Sequence, residues 1–406
     1  MSEFWRIASL LLTALGLTGV LGWYIVWRAG WALSLGARAR RVLGASLLAG
    51  LVAAVLARLL GREQAWIAES LGELGGATML AIVISSVLLL PVELARGLQR
   101  LVRRLTAGGA RSMLPGDVDA ACAAPAVPAR REFIAQTAAA GALTLGFGSA
   151  VYGTWIGRHD YAVETVPIKL AKLPRALDGL TIVQLSDLHV GTFVNERELS
   201  AALALVKQAK ADVIVLTGDL LDHDVTYAPM LARFSRSLAG LSRFGVHAIP
   251  GNHDHYAGAA AMMQALREAG TNVLLNRHVR IGQDSSSIVL AGLDDVAGPR
   301  FHGPGPRLEL AFQGAAPELA RVLLSHNPAY FPRSHSQADL TLSGHTHGGQ
   351  ITMFINPAKL VLRHGLVRGH YQFGDSQLYV NRGFGTAGPP ARIGSPPEIT
   401  RLVLHV

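Results

Sequence analysis

The first part of the chain contains long apolar runs that lack alternating polar positions. Four stretches carry no formal charge: Ile7 to Trp27, Val42 to Ala57, Leu74 to Val92, and Phe133 to Gly157. A helix crosses the hydrocarbon core of a bilayer with about 20 apolar residues, so the first, third and fourth runs are long enough to span it. The second reaches that length only with Leu59 and Leu60, while Arg58 snorkels to the interface. If the second run does not span the bilayer, it is a buried or interfacial helix.

From about Tyr161 the pattern changes to short apolar runs that alternate with helical periods. The predicted strands are Thr181 to Leu185, Val213 to Thr217, Val246 to Ile249, Ile288 to Ala291, Arg321 to Leu324, Leu340 to Leu342, Leu378 to Val380 and Ile399 to Leu404. The predicted helices are Glu196 to Ala209, Tyr227 to Leu241 and Ala259 to Ala269. Strands that first alternate with helices and later follow one another predict an α/β domain with stacked sheets and helices outside.

Arginines set the expected orientation of the apolar runs. The connection after the first run carries four arginines, and the connection after the third carries seven. The second connection balances Arg58 and Arg62 against three glutamates. By the positive-inside rule the first and third connections are cytoplasmic. We therefore expect a multi-pass protein of the inner (cytoplasmic) membrane, with its N-terminus and everything after residue 157 on the periplasmic or extracytoplasmic side.

These patterns divide the chain into four parts. Residues 1–104 are predicted to form three transmembrane helices, 105–132 a cytoplasmic linker rich in Ala, Gly and Pro, 133–157 a fourth transmembrane helix, and 158–406 a separate domain. Arg130 and Arg131 before the fourth run resemble a twin-arginine signal anchor, the bacterial route for proteins exported already folded. They can equally be ordinary flanking charge, and both interpretations give the same orientation.

Charge and cysteine content exclude several classes of protein. The net charge is +9, but residues 1–150 hold 14 arginines, no lysine and 8 acidic residues, so most of the surplus flanks the apolar runs. Nucleic acid is therefore not an expected partner, because a nucleic-acid surface needs its basic stripe on a folded domain. A lipid bilayer is expected instead. Cys122 is the only cysteine, which excludes an intrachain disulfide and a thiolate metal cluster.

Histidine and aspartate recur where predicted strands end. The five segments are Asp187-Leu188-His189, Gly218-Asp219-Leu220-Leu221-Asp222, Gly251-Asn252-His253-Asp254, Ser325-His326-Asn327 and Gly344-His345-Thr346-His347. Strand ends of one sheet edge lie together in space, so these side chains can converge although they are far apart in sequence. Alternate residues can bind one ion together, and Asp219 could bridge two ions. Carboxylate, amide and imidazole ligands without thiolate suit two divalent ions, with Mn expected first and Fe or Zn as alternatives.

The five segments, in this order, resemble the calcineurin-like metallophosphoesterase family, and their context resembles its bacterial membrane-associated YkuE/YaeI-like branch. The resemblance covers roughly residues 160–406. It implies a four-layer αββα metallophosphoesterase sandwich, here preceded by an all-α transmembrane region. It further implies that Asp187, His189 and His347 hold the first ion, that Asn252, His326 and His345 hold the second, and that Asp219 bridges them. His253 would stabilise the transition state or protonate the leaving oxygen, with Asp254 fixing its tautomer.

The expected function is hydrolysis of a phosphodiester or phosphomonoester by a hydroxide that bridges two metal ions. An envelope or lipid-linked phosphate ester is the expected substrate, since the domain is expected outside the membrane. One alternative is a UDP-diacylglucosamine pyrophosphohydrolase-like enzyme of lipid A synthesis, whose cytoplasmic substrate disagrees with the predicted orientation. Another is a membrane sensor or scaffold that uses the fold for binding only. A loop over residues 356–397, with Arg363, His364, His370, Arg382 and Arg392, either faces the phosphate or is ordinary surface charge.

Overall fold

The computed structural model describes residues 3–60, 64–107, 130–284 and 286–406. The chain forms two compact units, Met1–Thr154 and Trp155–Val406.

The first unit is helical. Its helices are α1 Glu3–Ala32, α2 Ala37–Leu59, α3 Ala65–Ala107 and α4 Arg130–Trp155. Within the described residues, three segments are long and apolar enough to cross a membrane: Ala37–Leu59, Ala65–Val102 and Arg130–His159. The second apolar run therefore lies on a helix of spanning length. The first run lies on α1, where the side chains of residues 3–12 and 14 are outside the described part, so its span stays a prediction.

Two helix boundaries differ from those expected. The third helix has 43 residues and continues 15 residues past its apolar run, and α4 begins at Arg130 instead of residue 133. At 1.5 Å per residue, α3 is roughly 65 Å long, about twice the hydrocarbon thickness. Its arginine-rich end therefore extends beyond the hydrocarbon of any bilayer it crosses. Most of the predicted cytoplasmic linker, residues 108–129 with Cys122, lies outside the described residues.

Small residues let these helices approach closely. Gly50 faces Thr78, Gly75 faces Ala54, and Gly146 faces Ser85, each so close that an added Cβ would collide. Beyond the end of the first apolar run, the buried Arg28 forms an ion pair with Glu93, which also accepts a 3.1 Å hydrogen bond from the Tyr24 hydroxyl. The two charged residues lie just after the first and third runs, which themselves carry no formal charge.

The second unit contains two six-stranded sheets within the described residues. The strands are β1 Ala162–Lys169, β2 Thr181–Leu185, β3 Val213–Thr217, β4 Val246–Ile249, β5 Asn272–Val273, β6 Arg277–Gln283, β7 Ser286–Gly292, β8 Arg321–Leu324, β9 Leu340–Ser343, β10 Gly369–Phe373, β11 Ser376–Val380 and β12 Glu398–His405. One sheet has the order β1-β12-β2-β3-β4-β5 and the other β10-β11-β9-β8-β7-β6. Strands β2 to β5 are parallel to one another, as are β7, β8 and β9.

Alternation along each strand decides which layer its side chains fill. Ile182 and Val215 enter a core shared with Leu290 and Val322 of the other sheet. Val183 and Ile214 point to the opposite face, where they pack with the helices α5 Glu196–Ala209, α6 Ala228–Ala239 and α8 Ala259–Glu268. A separate core covers the outer face of the second sheet, where α9 Leu308–Ala311 packs. The expected four-layer αββα sandwich, preceded by apolar helices, is thus confirmed.

The strongly periodic elements lie where the sequence predicts them. The ranges of β2, α5, β3, β4 and β8 coincide with the predicted ones, and the remaining predicted strands and helices are shifted by one or two residues at an end. Strands β1, β5, β6 and β10 were not predicted, nor were the short helices α7 Asn252–Ala257, α9, α10 Phe331–Ser334 and α11 Ala358–Val361. Edge strands and single helical turns have too few buried positions to give a periodic pattern.

Candidate metal centre

The polar segments leave the strands at one edge of each sheet. Asp187 and His189 follow β2, Asp219 follows β3, and Asn252 opens α7 after β4. His326 follows β8 of the second sheet, while His345 and His347 follow β9. The two edges meet, since the backbone N–H of His345 donates to both carboxylate oxygens of Asp187 at 2.9 and 3.0 Å. The structure therefore brings all seven predicted ligand residues to one place.

Most of these residues have unusual backbone conformations. Asp187, His189, Asp219, His345 and His347 have positive φ angles, between 50° and 71°. Non-glycine residues rarely adopt this left-handed region, because Cβ crowds the backbone. Such strain persists only where the surrounding structure imposes it, and it concentrates at functional sites. Its presence at five of the seven residues favours a functional role for the cluster.

The first group of potential ligands consists of Asp187, His189 and His347, which are buried. One ligand atom from each lies within 4.8 Å of the others. The Nε2 atoms of His189 and His347 are 3.1 Å apart, and Nε2 of His347 is 3.4 Å from Oδ1 of Asp187. Two imidazole nitrogens and a carboxylate oxygen at this spacing could hold one divalent ion.

The second group consists of Asp219, His326 and His345, whose ligand atoms also lie within 4.8 Å of one another. Oδ1 of Asn252 and Nδ1 of His345 are shielded from solvent and have no hydrogen-bond partner among the described residues. Asn252 is held by its amide nitrogen, which donates to the Tyr256 hydroxyl at 3.2 Å. Buried polar atoms without partners are costly, so these two atoms fit a site that a cation would complete.

Asp219 lies between the two groups. Its Oδ2 is 3.2 Å from Nε2 of His326 and 3.8 Å from Nε2 of His189. Its Oδ1 accepts a 2.7 Å hydrogen bond from the backbone N–H of His253. One carboxylate can therefore contact both groups, as the bridging assignment requires. Whether each residue binds an ion stays a prediction, although the donor set fits two divalent ions.

Burial and charge move the histidine pKa values in opposite directions. Burial alone would lower the pKa of His326, but the Asp219 carboxylate overrides it and raises this pKa well above its usual value. Burial lowers the pKa of His347 far below its usual value, with a further contribution from His189. The pKa of His345 is also lowered, by burial and then by His326. A divalent cation would thus replace a proton held between His326 and Asp219.

The structure corrects the role predicted for Asp254. Its buried carboxylate accepts hydrogen bonds of 2.8 to 2.9 Å from the backbone N–H groups of Leu220, Leu221 and Gly251, and it makes no hydrogen bond to the ring of His253. Burial, with the nearby Asp219 charge, raises the pKa of Asp254 to about 6. Asp254 therefore fixes the backbone of two loops of the site, because its oxygens are occupied by those amides.

The ring of His253 is oriented by a backbone carbonyl instead. Its Nδ1 lies 2.8 Å from the carbonyl oxygen of Asp222. A carbonyl can only accept a hydrogen bond, so Nδ1 carries the proton and Nε2 is left for chemistry.

His189, Asp222 and His253 also form a third group that could hold an ion. The Asp222 carboxylate is 3.5 Å from Nδ1 of His189 and 3.7 Å from Nδ1 of His253, on the protonated side of the His253 ring. That geometry suits orientation of both rings better than metal binding.

Two glycines make room for this arrangement. A Cβ on Gly344 would collide with the side chains of Ser186 and Asp187, and a Cβ on Gly251 would collide with Asp219 and with the ring of His326. The two sheets can therefore approach at the site only where these positions lack a side chain.

Two of the arginines in the loop expected either to face a phosphate or to carry surface charge, Arg382 and Arg392, have other partners. Arg392 is 1% exposed and donates to the backbone carbonyls of Arg382, Gly383 and Gly385, and its Nη2 is 3.2 Å from Nδ1 of His347. Burial lowers its pKa to about 10, so it stays protonated at neutral pH. Arg382 forms ion pairs with Glu164 and Glu398. Both arginines therefore support the loop beneath His347.

Sequence reasoning missed one acidic residue. Asp295 follows β7, next to the strand that carries His326, and it is 2% exposed. Its Oδ1 accepts from the Ala297 N–H, while its Oδ2 has no hydrogen-bond partner among the described residues. Its charge raises the pKa values of His326 and His345 against the dominant effect of burial. The same signal that identified the other residues, an aspartate just past a predicted strand, could have found it.

Several known proteins are similar to this chain. Residues 180–349 match the family described as calcineurin-like phosphoesterase. The chain is 34% identical to the metallophosphoesterase YkuE of Bacillus subtilis over 291 residues, which cover 68% of this chain and 97% of that protein. It is 35% identical to a transmembrane protein with metallophosphoesterase domain of Bos taurus over 270 residues, covering 63% of this chain but only 60% of that protein. A solved dimetal phosphatase from Danio rerio has a TM-score of 0.35 and 14% identity, covering 51% of this chain and 88% of that one.

Proposed function

The chain belongs to the calcineurin-like phosphoesterase family, and from this premise we propose that it is a membrane-anchored phosphoester hydrolase that uses two divalent metal ions. The observation that carries the proposal is the meeting of carboxylate, amide and imidazole donors from both sheets around Asp219. The buried Oδ1 of Asn252 and Nδ1 of His345, which have no partner among the described residues, support a cation there. Manganese is our first choice of metal, with iron or zinc as alternatives, because this oxygen and nitrogen donor set accepts all three.

Two bound divalent ions would supply an activated water at neutral pH and neutralise charge on the phosphoryl oxygens. Asp187, His189 and His347 would hold one ion, and Asn252, His326 and His345 the other, with Asp219 shared. Nε2 of His253 would stabilise charge on the phosphoryl group or deliver a proton to the leaving oxygen, while Nδ1 stays bonded to the Asp222 carbonyl. Asp254 keeps His253 in place through the loop amides.

The central experiment measures hydrolysis of bis(p-nitrophenyl) phosphate and p-nitrophenyl phosphate by the purified full chain, first after metal removal and then after addition of Mn²⁺. We expect turnover that needs Mn²⁺ and is lost in Asp219→Asn, with the ratio of the two rates giving the preference for diesters or monoesters. Two bound ions without turnover on either ester would instead favour a sensor or scaffold that uses the fold for binding.

The membrane part of the proposal concerns the side on which the hydrolase lies. The three helices of spanning length and the transmembrane relative support membrane association. We propose a multi-pass protein of the inner membrane with the hydrolase on the periplasmic side and an envelope or lipid-linked phosphate ester as substrate. The positive-inside distribution of arginines supports this orientation.

Cys122 is the natural reporter of orientation, since it is the only cysteine and falls in the predicted cytoplasmic linker. A membrane-impermeant thiol reagent should fail to label it in intact spheroplasts and should label it after permeabilisation. A Cys122→Ala variant gives the background. Labelling of intact spheroplasts would place the hydrolase in the cytoplasm, where a nucleotide-linked lipid precursor becomes the better substrate.

A further inference from the structure

An apolar surface lies next to the metal centre. Phe354, Ile355, Leu360 and Val361 are 76%, 66%, 81% and 83% exposed, more than any other large hydrophobic side chain described in residues 155–406. All four belong to residues 351–362, which we call the apolar segment and which follow His345 and His347 closely in sequence. Soluble surfaces rarely group large apolar side chains in this way, and such groups mark sites of interaction.

A cleft joins the apolar segment to the metal centre. Its volume is about 410 Å³, within the range of pockets that hold small ligands. His345 and His347 line one part of it, and Ile351, Val361 and Leu362 line another. The cleft is therefore lined both by two predicted metal ligands and by apolar side chains. That combination suits a phosphate ester whose phosphate carries an apolar chain.

The charge around the apolar segment suits an anionic membrane. Residues 350–370 contain Lys359, Arg363 and Arg368 and no aspartate or glutamate. The side chains of Lys359 and Arg368 are exposed. Apolar side chains flanked by basic ones bind the headgroup region of anionic bilayers, since burial of apolar area and attraction to lipid phosphates act together.

The covalent connection brings a bilayer within reach. The last segment of spanning length ends at His159, and β1 begins at Ala162. Two intervening residues extend at most roughly 10 Å between the flanking residues. If that segment spans, the hydrolase begins at the membrane surface, and lipid is the apolar partner available to it at the highest local concentration.

We propose that the apolar segment inserts into the bilayer and that the cleft takes the apolar chain of a membrane-lipid phosphoester, so that the lipid phosphate reaches the metal centre. This inference rests on the proposed phosphoesterase function and names its substrate class. Insertion of Phe354, Ile355, Leu360 and Val361 removes their apolar area from water. The adjoining cleft offers the lipid apolar side chains on the way to His345 and His347.

The first test reports insertion without any catalysis. The variant is the full chain with Cys122→Ala and Leu360→Cys, so that the new thiol at position 360 alone carries an environment-sensitive fluorophore. It is reconstituted into vesicles of phosphatidylcholine and phosphatidylglycerol, either with or without doxyl-labelled lipid. Leu310→Cys in the same background is the matched control, because Leu310 is 46% exposed on α9, outside the apolar segment. We expect doxyl lipid to quench the label at position 360 and not at 310. No quenching at 360, or equal quenching at both positions, would overturn the insertion.

The second test compares substrates. Three proteins are reconstituted with Mn²⁺: the unmodified chain, the double variant Phe354→Ser with Leu360→Ser, and the control Leu310→Ser. Each is assayed on phosphatidylglycerol in vesicles, phosphatidic acid in vesicles and soluble bis(p-nitrophenyl) phosphate. The ratio of lipid turnover to soluble turnover should fall at least about tenfold in the double variant and stay constant in the control. An unchanged ratio, or an unmodified chain that cleaves the soluble ester but neither lipid, would refute the lipid substrate. An unmodified chain inactive on all three would refute the phosphoesterase itself.

Discussion

Oδ2 of Asp219, at the end of β3 in one sheet, lies 3.2 Å from Nε2 of His326, at the end of β8 in the other sheet. The two residues are far apart in sequence and meet only because the sheets are stacked with their strand ends aligned. The same carboxylate also faces His189, so it joins the two groups of potential ligands. The bridging assignment of Asp219 can be tested on this basis.

Asp219→Asn should reduce Mn²⁺-dependent hydrolysis by roughly three orders of magnitude, about 4 kcal/mol in the barrier, because a neutral amide cannot hold two cations together. The fold should survive, since the side chains are nearly isosteric. Turnover and bound metal per chain are measured together. Asp375→Asn, at an exposed turn, is the control and should behave as the unmodified protein. Activity retained in Asp219→Asn would remove the bridging role.

His253→Ala should lower the turnover number by about two to four orders of magnitude while both ions stay bound. The reason is that Nδ1 is committed to the Asp222 carbonyl, which leaves Nε2 for proton transfer and not for structure. Metal analysis of the purified variant decides the matter. If one ion is lost with the ring, His253 is a ligand, together with His189 and Asp222.

Asp295→Asn should weaken binding of one of the two Mn²⁺ ions by about tenfold to a hundredfold and leave the other unchanged. The buried, unpartnered Oδ2 of Asp295 contributes negative charge near His326 and His345, and an amide removes that charge at constant volume. Titration of the metal-free protein with Mn²⁺, followed by electron paramagnetic resonance, resolves the two affinities. Two unchanged affinities would show that Asp295 acts only on its own loop.

His247 should make the protein less stable in mild acid. Burial lowers the pKa of His247, whose Nδ1 has no hydrogen-bond partner among the described residues. The imidazole of His247 therefore binds a proton more readily in the unfolded chain than in the folded one. The free energy of unfolding that this group contributes is fully present above pH about 6.5 and is lost as the pH falls below that value, by up to about 1.4 kcal/mol per pH unit. His247→Gln keeps a donor for the Phe244 carbonyl and cannot titrate.

Thermal unfolding midpoints of the unmodified chain and of His247→Gln, measured between pH 7.5 and 5.5, test this difference. The midpoint of the unmodified chain should fall more steeply, because other titrating groups are common to both proteins and cancel in the comparison. Parallel curves would show that His247 titrates equally in the folded and unfolded chain.

Sequence alone determined the apolar helices, the strongly periodic strands and the identity of the polar residues at their ends. These features are local: hydrophobic periodicity and strand-end position depend on residues a few places apart, as in β2 followed by Asp187 and β3 followed by Asp219. The edge strands β1 and β10 were missed because few of their side chains are buried, so they carry little periodic pattern.

Only the tertiary structure decided what each polar atom touches. A sequence places Asp254 beside His253, yet packing of the β3 and β4 loops turns its carboxylate toward three backbone amides and gives His253 the Asp222 carbonyl. By sequence Arg392 either faces a phosphate or is ordinary surface charge, whereas in the folded chain it is buried against His347. The apolar segment and its cleft likewise emerge only in the folded chain. Residue type and order fix the chemistry available to a site, whereas contacts between distant segments fix which atoms are free to use it.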